Sequence, residues 1–262
     1  MPALILMYHN LAVKAADLAC VPAGHRPYVL DILTFQNQME TVASEGFPVC
    51  TVRDWGAPSH SQRTIVLTFD DGHVSNHDVA FPVLLKYKLK ATFFITVGLI
   101  GAHETMNWAQ IRTLHEAGME IGSHTLTHRP PSTLTDEELR HELVKSRCIL
   151  EDGLGAPVTS ISSPTGFFNP RMCAIAKESG YHALCFGRVG LAADTGDPFS
   201  LKRVAVKRGM KEEEFKALLG FDGSLIRRIR LQQLVREFGR KILRPTLYLQ
   251  IRKILMERMF VW

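Results

Sequence analysis

Along the chain, short runs that are apolar on both faces alternate with longer stretches in which apolar residues recur every three or four positions. Ala3 to His9 (ALILMYH), Thr64 to Phe69 (TIVLTF), Ala91 to Val97 (ATFFITV), Met119 to His124 (MEIGSH), His182 to Phe186 (HALCF) and Leu201 to Val206 (LKRVAV) read as strands. Between them, Thr34 to Gly46, Asp78 to Lys88, Asn107 to Gly118 and Asn169 to Gly180 have a helical period, the second despite Pro82. Thr135 to Glu151 is the best-delimited helix, because Thr135 and Glu138 fit a capping box ahead of Leu139, Leu143 and Ile149. Strands buried on both faces and separated by helices predict parallel β/α units, as a barrel or an open doubly wound sheet. No Gly-rich phosphate fingerprint follows any strand, which argues against a nucleotide-binding version.

In a β/α barrel the chemistry lies where strands end on the carboxyl side. The first strand ends in His9. TIVLTF hands over Asp70-Asp71-Gly72, MEIGSH hands over His124 with His128 after it, and the run after Ile161 hands over SSPTG. Two histidines spaced His-x3-His plus one carboxylate make a three-ligand set for zinc or a similar divalent ion, with a position left for water. Asp70 and Asp71 are adjacent, so they point different ways and can divide the work, one binding the ion and the other acting as a base. Each element has a plainer reading: His-x3-His pairs arise by chance on surface helices, Asp-Asp-Gly is often a turn, and a histidine closing a strand often packs there. Their shared place at strand ends is what joins them.

Composition adds bounds. With 262 residues, 46% hydrophobic and 22% charged, the chain is expected to fold in water around one main core. Five scattered cysteines without CxxC spacing suggest neither a disulfide framework nor a cysteine zinc site. The first ten residues lack the pattern of a secretory signal, and a cytoplasmic location is expected. Residues 221–262 carry ten Lys or Arg against three Asp or Glu, a net +7, which leaves −2 of the total +5 to residues 1–220. The basicity therefore belongs to the tail, and no nucleic-acid groove is expected in the main domain.

The segments TIVLTFDDGHVSN, ATFFITVG, GMEIGSHTLTH and SSPTGFFNP resemble the NodB-homology polysaccharide deacetylases, carbohydrate esterase family 4, in order from about Ala3 to Val206. The resemblance implies an α/β fold, a distorted (β/α) barrel, and metal-dependent removal of an acetyl group from an N-acetylated sugar. It implies Asp70 as catalytic base, Asp71, His124 and His128 as ligands of a divalent metal, Zn2+ foremost, and the backbone N–H of Thr165 as an oxyanion donor. Two departures stand out. Where many relatives carry an arginine in an R-P-P-Y-G pattern, Ser162 stands here, and no histidine follows His182 to match a late Leu-x-His motif. LMYH resembles that motif moved to the N-terminus, as in a circularly permuted subgroup similar to poly-N-acetylglucosamine deacetylases, which makes His9 the acid that protonates the departing amine. For the missing guanidinium, Arg203 in LKRVAV is the candidate partner of Asp70, a surface arginine beside a strand being the plainer reading. His25, His73, His77, Trp108 and Phe168 stay outside the catalytic set.

Residues 1–220 are expected to form the deacetylase domain and 221–262 a basic amphipathic helical tail. Leu225, Ile229, Leu234, Phe238 and Ile242 form its apolar stripe, Arg227, Arg230, Arg240 and Lys241 lie off it, and a second piece follows Pro245. Such a tail suits peripheral contact with an anionic membrane, and equally a partner or its own barrel. On a membrane's inner face, a lipid-linked or oligosaccharide intermediate of surface-glycan synthesis is the expected substrate. The alternatives are a deformylase of a lipid-linked amino sugar and a non-catalytic sugar-binding or scaffold protein on the same fold.

Overall fold

The structure is a computed structural model that describes residues 1–14, 18–19, 21–55, 62–193 and 196–242, with side chains as far as Glu237. Strand β1 (Ala3–Tyr8) is followed directly by β2 (Asn10–Ala12), which pairs in parallel with β3 (Val29–Asp31) as a small separate ribbon. Then come α1 (Ile32–Ser44), β4 (Val49–Cys50), α2 (Val52–Trp55), β5 (Thr64–Phe69), α3 (Phe81–Lys86), β6 (Thr92–Ile95), α4 (Trp108–Glu116) and β7 (Glu120–Ser123). The chain continues through α5 (Asp136–Leu154), β8 (Ser160–Ser162), α6 (Pro170–Glu178), β9 (Ala183–Cys185), β10 (Val204–Ala205), α7 (Glu212–Leu219) and α8 (Gly223–Ile242). The main sheet runs β10-β1-β5-β6-β7-β8-β9, with β4 also paired to β5, and every pairing is parallel.

The sheet curls until its edges meet. Leu201 donates its N–H to the Leu184 carbonyl and accepts from the Phe186 N–H at 2.9 Å, so the segment entering β10 also touches β9. The result is a distorted barrel of parallel strands, closed on one side by a bridge instead of a full ladder.

Strand periodicity then sorts the side chains. Leu4, Leu6 and Tyr8 of β1 and Ile65, Leu67 and Phe69 of β5 face the helices, where the Tyr8, Phe69 and Phe93 rings stack at 5.3 and 4.8 Å. The opposite parity, Ala3, Ile5, Val66, Phe94, Ala183 and Cys185, fills the inside of the curl with a smaller apolar cluster. Followed to the carboxyl ends, that inner parity arrives at His9 on β1, Asp70 on β5, His124 on β7 and Ser162 on β8. The β1–β5 register pairs Tyr8 with Phe69, and the Asp70 N–H donates to the Tyr8 carbonyl at 3.0 Å, so His9 and Asp70 are neighbours across the ladder. Gly122, also of inner parity, leaves no room for a side chain: a Cβ there would meet the Phe94 ring at 2.6 Å.

Several expected elements appear with shifted ends. The capping box at Thr135 and Glu138 is present and α5 runs on to Leu154, where Gly155 closes it in the left-handed region. The Asp78 to Lys88 stretch begins as a π-turn over Asn76–Ala80 before α3. The tail is not separate at its start: Phe221, Leu225 and Ile226 are buried in the main core and Ile229 packs against it. Leu234, expected on one stripe with Leu225 and Ile229, parts from them and is 51% exposed, beside Leu231 at 63% and Val235 at 64%. Gln233 takes the inner position instead, because the wall it meets offers backbone polar groups and not apolar surface. The parts of the expected stripe at Phe238 and Ile242, and the second piece after Pro245, fall outside the described side chains. Among the described residues, no helix is long and apolar enough to cross a membrane.

Candidate active site

At the carboxyl rim of the barrel, Asp71, His124 and His128 each bring one ligand atom within 4.8 Å of the others. His124 Nε2 lies 3.3 Å and His128 Nε2 3.4 Å from Asp71 Oδ1. Strand alternation alone would turn Asp71 outward. Its left-handed backbone, φ 75°, breaks the alternation and brings its carboxylate to the histidines, a conformation that aspartate tolerates better than most residues.

The His124 ring is held by its far side: Nδ1 lies 2.9 Å from the Ser162 carbonyl oxygen. A carbonyl only accepts, so Nδ1 carries the hydrogen, and in the neutral ring Nε2 presents a lone pair to Asp71. Two imidazole nitrogens crowding one carboxylate oxygen need a cation between them or a proton on a ring. This donor set fits a divalent ion, with the Ser162 carbonyl in the supporting position usual for a metal-bound histidine. Burial disfavours the charged His124 ring, but Asp70 and Asp71 outweigh it and raise its pKa. Burial likewise works to raise the Asp71 pKa, and its two histidine contacts hold the carboxyl well below the usual range.

His128 sits on a loop with its own anchor. The buried carboxylate of Glu142, from α5, accepts the backbone N–H groups of Leu126 and Thr127 at 2.9 and 2.8 Å and the Thr127 hydroxyl at 2.5 Å. Thr125 and His128 are both in the left-handed region, at φ 66° and 60°. Nothing in the sequence pattern singled out Glu142, which looked like one more polar residue of an amphipathic helix.

Asp70, 3% exposed, faces Arg203, which is fully buried. The guanidinium is bidentate, Nη1 to Oδ1 at 2.8 Å and Nη2 to Oδ2 at 2.7 Å. Its remaining hydrogens go to Ser162 Oγ at 2.8 Å, Thr68 Oγ1 at 3.2 Å and the Phe186 carbonyl at 3.3 Å. Ser162 in turn lies 3.3 Å from Asp70 Oδ2. The guanidinium absent from position 162 is thus supplied from β10's approach, and the small serine leaves the space it occupies. Burial pushes the Asp70 carboxyl up, but the Arg203 charge, with His124, prevails and holds it below the ordinary carboxylate range.

The His9 ring packs at 4.9 Å on Tyr28, over which Lys207 is placed at 5.3 Å. The His9 carbonyl accepts from Asn76 Nδ2 at 2.7 Å, fixing the end of β1. Its Nδ1 is buried with no hydrogen-bond partner among the described residues. Burial lowers the His9 pKa against the pull of Asp71 and Asp70, the two carboxylates it faces. Thr165 follows β8 in a left-handed conformation, φ 63°, beside the exposed Phe167 and Phe168.

The residues set aside are placed away from this cluster or occupied locally. Trp108 packs on Gly153 and Arg112. His77 contacts Asp78 at 2.7 Å, His73 contacts Ser75 at 2.8 Å, and His25 precedes the short turn Arg26–Tyr28.

Comparison with known proteins supplies the context. Residues 57–184 match the family model described as polysaccharide deacetylase. YxkH of Bacillus subtilis is 27% identical over 220 residues, covering 82% of this chain and 75% of that protein. A peptidoglycan-N-acetylglucosamine deacetylase of Bacillus cereus is 30% identical over 131 residues, 50% of this chain; the match spans 59% of that protein, less than two thirds of its length. In fold, the chain resembles the Streptococcus pyogenes deacetylase PplD, solved with acetate, at a TM-score of 0.73 and 24% identity over 84% of this chain and 97% of that one.

Proposed function

Because the chain carries a polysaccharide deacetylase domain of the NodB type, carbohydrate esterase family 4, we propose that it is a metal-dependent hydrolase that removes the N-acetyl group from an N-acetylated sugar. The observation that carries this reading is the pairing of two sets at one rim: Asp71, His124 and His128 converging as ligands, and Asp70 held ionised by Arg203 next to them. A divalent ion held by that histidine and carboxylate set, zinc by the nature of the donors, supplies an acidified water and a positive charge for the acyl oxygen.

The protein's own groups do the rest. Asp70, kept as a carboxylate by the guanidinium, accepts the proton of the attacking water. His9, across the ladder from Asp70, returns a proton to the amine nitrogen, which leaves poorly without one. The Thr165 N–H, presented by its left-handed turn, donates to the oxygen that gains charge. The products are acetate and an amino sugar. A test is acetate release from chitooligosaccharides and from peptidoglycan fragments by the zinc-loaded chain, beside Asp70→Asn and a chelated sample. Release that persists in Asp70→Asn would remove the assigned base, and bound zinc without any acyl release, acetate or formate, would favour a sugar-binding protein.

The exposed Leu231, Leu234 and Val235 with Arg227, Arg230 and Arg236 around them support a peripheral contact of α8 with an anionic membrane on its cytoplasmic side. A lipid-linked sugar intermediate is the substrate that such a location favours. Sedimentation with phosphatidylglycerol vesicles tests it: Leu231→Ser/Leu234→Ser/Val235→Ser should bind more weakly than the full chain, and equal binding would remove the membrane from the proposal.

A further inference from the structure

Helix α8 lies outside the residues matched to the family, yet its inner face grips the wall of the candidate site. Gln233 makes a two-pronged contact with the loop after β9: its Oε1 accepts the Val189 N–H at 2.8 Å and its Nε2 donates to the Gly187 carbonyl at 2.8 Å. That loop bears on both halves of the chemistry. On one side, the Gly187 N–H donates to the Gly166 carbonyl at 2.8 Å, the residue directly after Thr165. The two glycines are packed backbone to backbone: a Cβ on Gly166 would lie 2.9 Å from the Gly187 Cα, and one on Gly187 3.1 Å from the Gly166 Cα. On the other side, the Arg188 carbonyl accepts the backbone N–H of Arg203 at 3.0 Å, and the Phe186 carbonyl accepts from its guanidinium.

We propose that Gln233 is a positioning residue for the reaction: by clamping Gly187 and Val189 it sets where the Thr165 N–H and the Arg203 guanidinium stand. A side-chain amide suits the task because the loop presents one N–H and one C=O, and the glutamine amide offers the matching acceptor and donor in one group. Both contacts are short, and the loop they hold touches Gly166 without an intervening side chain, so a displacement is passed on and not absorbed. The geometry of an oxyanion donor tolerates little error, and a misplacement of about 1 Å can cost up to about a hundredfold in rate. The role of Thr165 in this inference rests on the deacetylase reading; the clamp itself does not.

The test compares the full, zinc-loaded chain with Gln233→Met, which keeps length and loses both contacts, and Gln233→Ala, with the exposed neighbour Gln232→Ala as control. The expected result is a fall in kcat of about tenfold with KM changed less than about twofold. The melting temperature should stay near that of the control, and hydrogen exchange at the Gly187 amide should quicken. That amide bonds Gly166 and not Gln233, so its exchange reports transmission through the loop. Unchanged Gly187 exchange in Gln233→Met overturns the clamp, and quickened exchange with unaltered kcat overturns its link to catalysis. Should the protein release no acyl group from any sugar, the deacetylase reading fails while the exchange result still judges the clamp.

Discussion

Replacing Arg203 by methionine removes the charge and every hydrogen bond of the guanidinium while keeping much of its volume. What remains is Asp70, buried, with Ser162 Oγ at 3.3 Å as its nearest donor. Breaking a buried pair by deleting one partner costs about 3–5 kcal/mol, because the other charge is left without compensation. At about 2–4 °C per kcal/mol for a domain of this size, Arg203→Met should melt roughly 6–20 °C lower. The pH dependence has a definite sign. In the wild type the Asp70 pKa lies below its unfolded value, so the pair's contribution is complete above about pH 3.9 and lost as pH falls through the lower folded value. In Arg203→Met, burial acts without the guanidinium and pushes the carboxyl up, so the stability gap to wild type should narrow as the pH is lowered. The acid limb of kcat/KM should move to higher pH, since the base then holds its proton longer. Asp70→Asn in the Arg203→Met background should recover part of the lost stability, with a coupling of about 2–3 kcal/mol across the cycle. Thermal melts over a pH series and pH–rate profiles read all of this. An Arg203→Met protein within about 0.5 kcal/mol of wild type, with an unmoved acid limb, would refute the assignment of the pair.

Three further outcomes are expected. His9→Ala should keep its zinc, measured by titration calorimetry, while kcat falls about 10²–10⁴-fold; full turnover would remove His9 as the acid. Glu142→Gln loses the charged acceptor that gathers Leu126 and Thr127, so zinc affinity, read by competition with a chelating dye, should drop about 10–100-fold, and an unaltered affinity would show the loop to be held otherwise. Glu120, buried at the amino end of β7, accepts from the Arg53 N–H and Thr92 hydroxyl, but burial dominates and raises its pKa. Its ionised form therefore costs stability as pH rises from about 4.3 toward the higher folded value. Glu120→Gln should be more stable than wild type at pH 7 and flatter in its pH dependence, and a less stable variant would contradict the sign.

The convergence of Asp71, His124 and His128 was legible because its members announce themselves locally: a strand that stops at Asp-Asp-Gly, and a strand that stops at the first histidine of His-x3-His. Arg203 was reached by a different route, as the charge in LKRVAV able to replace the guanidinium missing at position 162, and along the chain a surface arginine was the plainer reading. The partnership itself was not legible, since Thr68, Asp70, Ser162 and Arg203 come from three strands or strand ends, those of β5, β8 and β10, whose adjacency follows from the order of the sheet. Ser162 looked like a loss when read along the chain. Across the sheet it is the residue small enough to admit a guanidinium from the other edge. Glu142 and Gln233 could not be singled out at all, because each bonds backbone groups, and backbone groups leave no mark on sequence. The amphipathic period of α8 misplaced Leu234 for the same reason: the surface under that turn is a loop's peptide groups, so a polar side chain faces in and leucine faces out.

The central place of β1 has a consequence for how the molecule is made. The earliest of the described strands along the chain, β1, is flanked by β5 and β10, whose sequence partners come about 60 and 200 residues later. No early portion of the nascent chain can therefore hold the finished rim at which His9, Asp70 and Arg203 meet, and an apolar strand must wait for its second neighbour until the barrel is nearly complete. Folding should be late, cooperative and slow for the chain's size, with the waiting edge of β1 as the stretch most in need of shelter during synthesis.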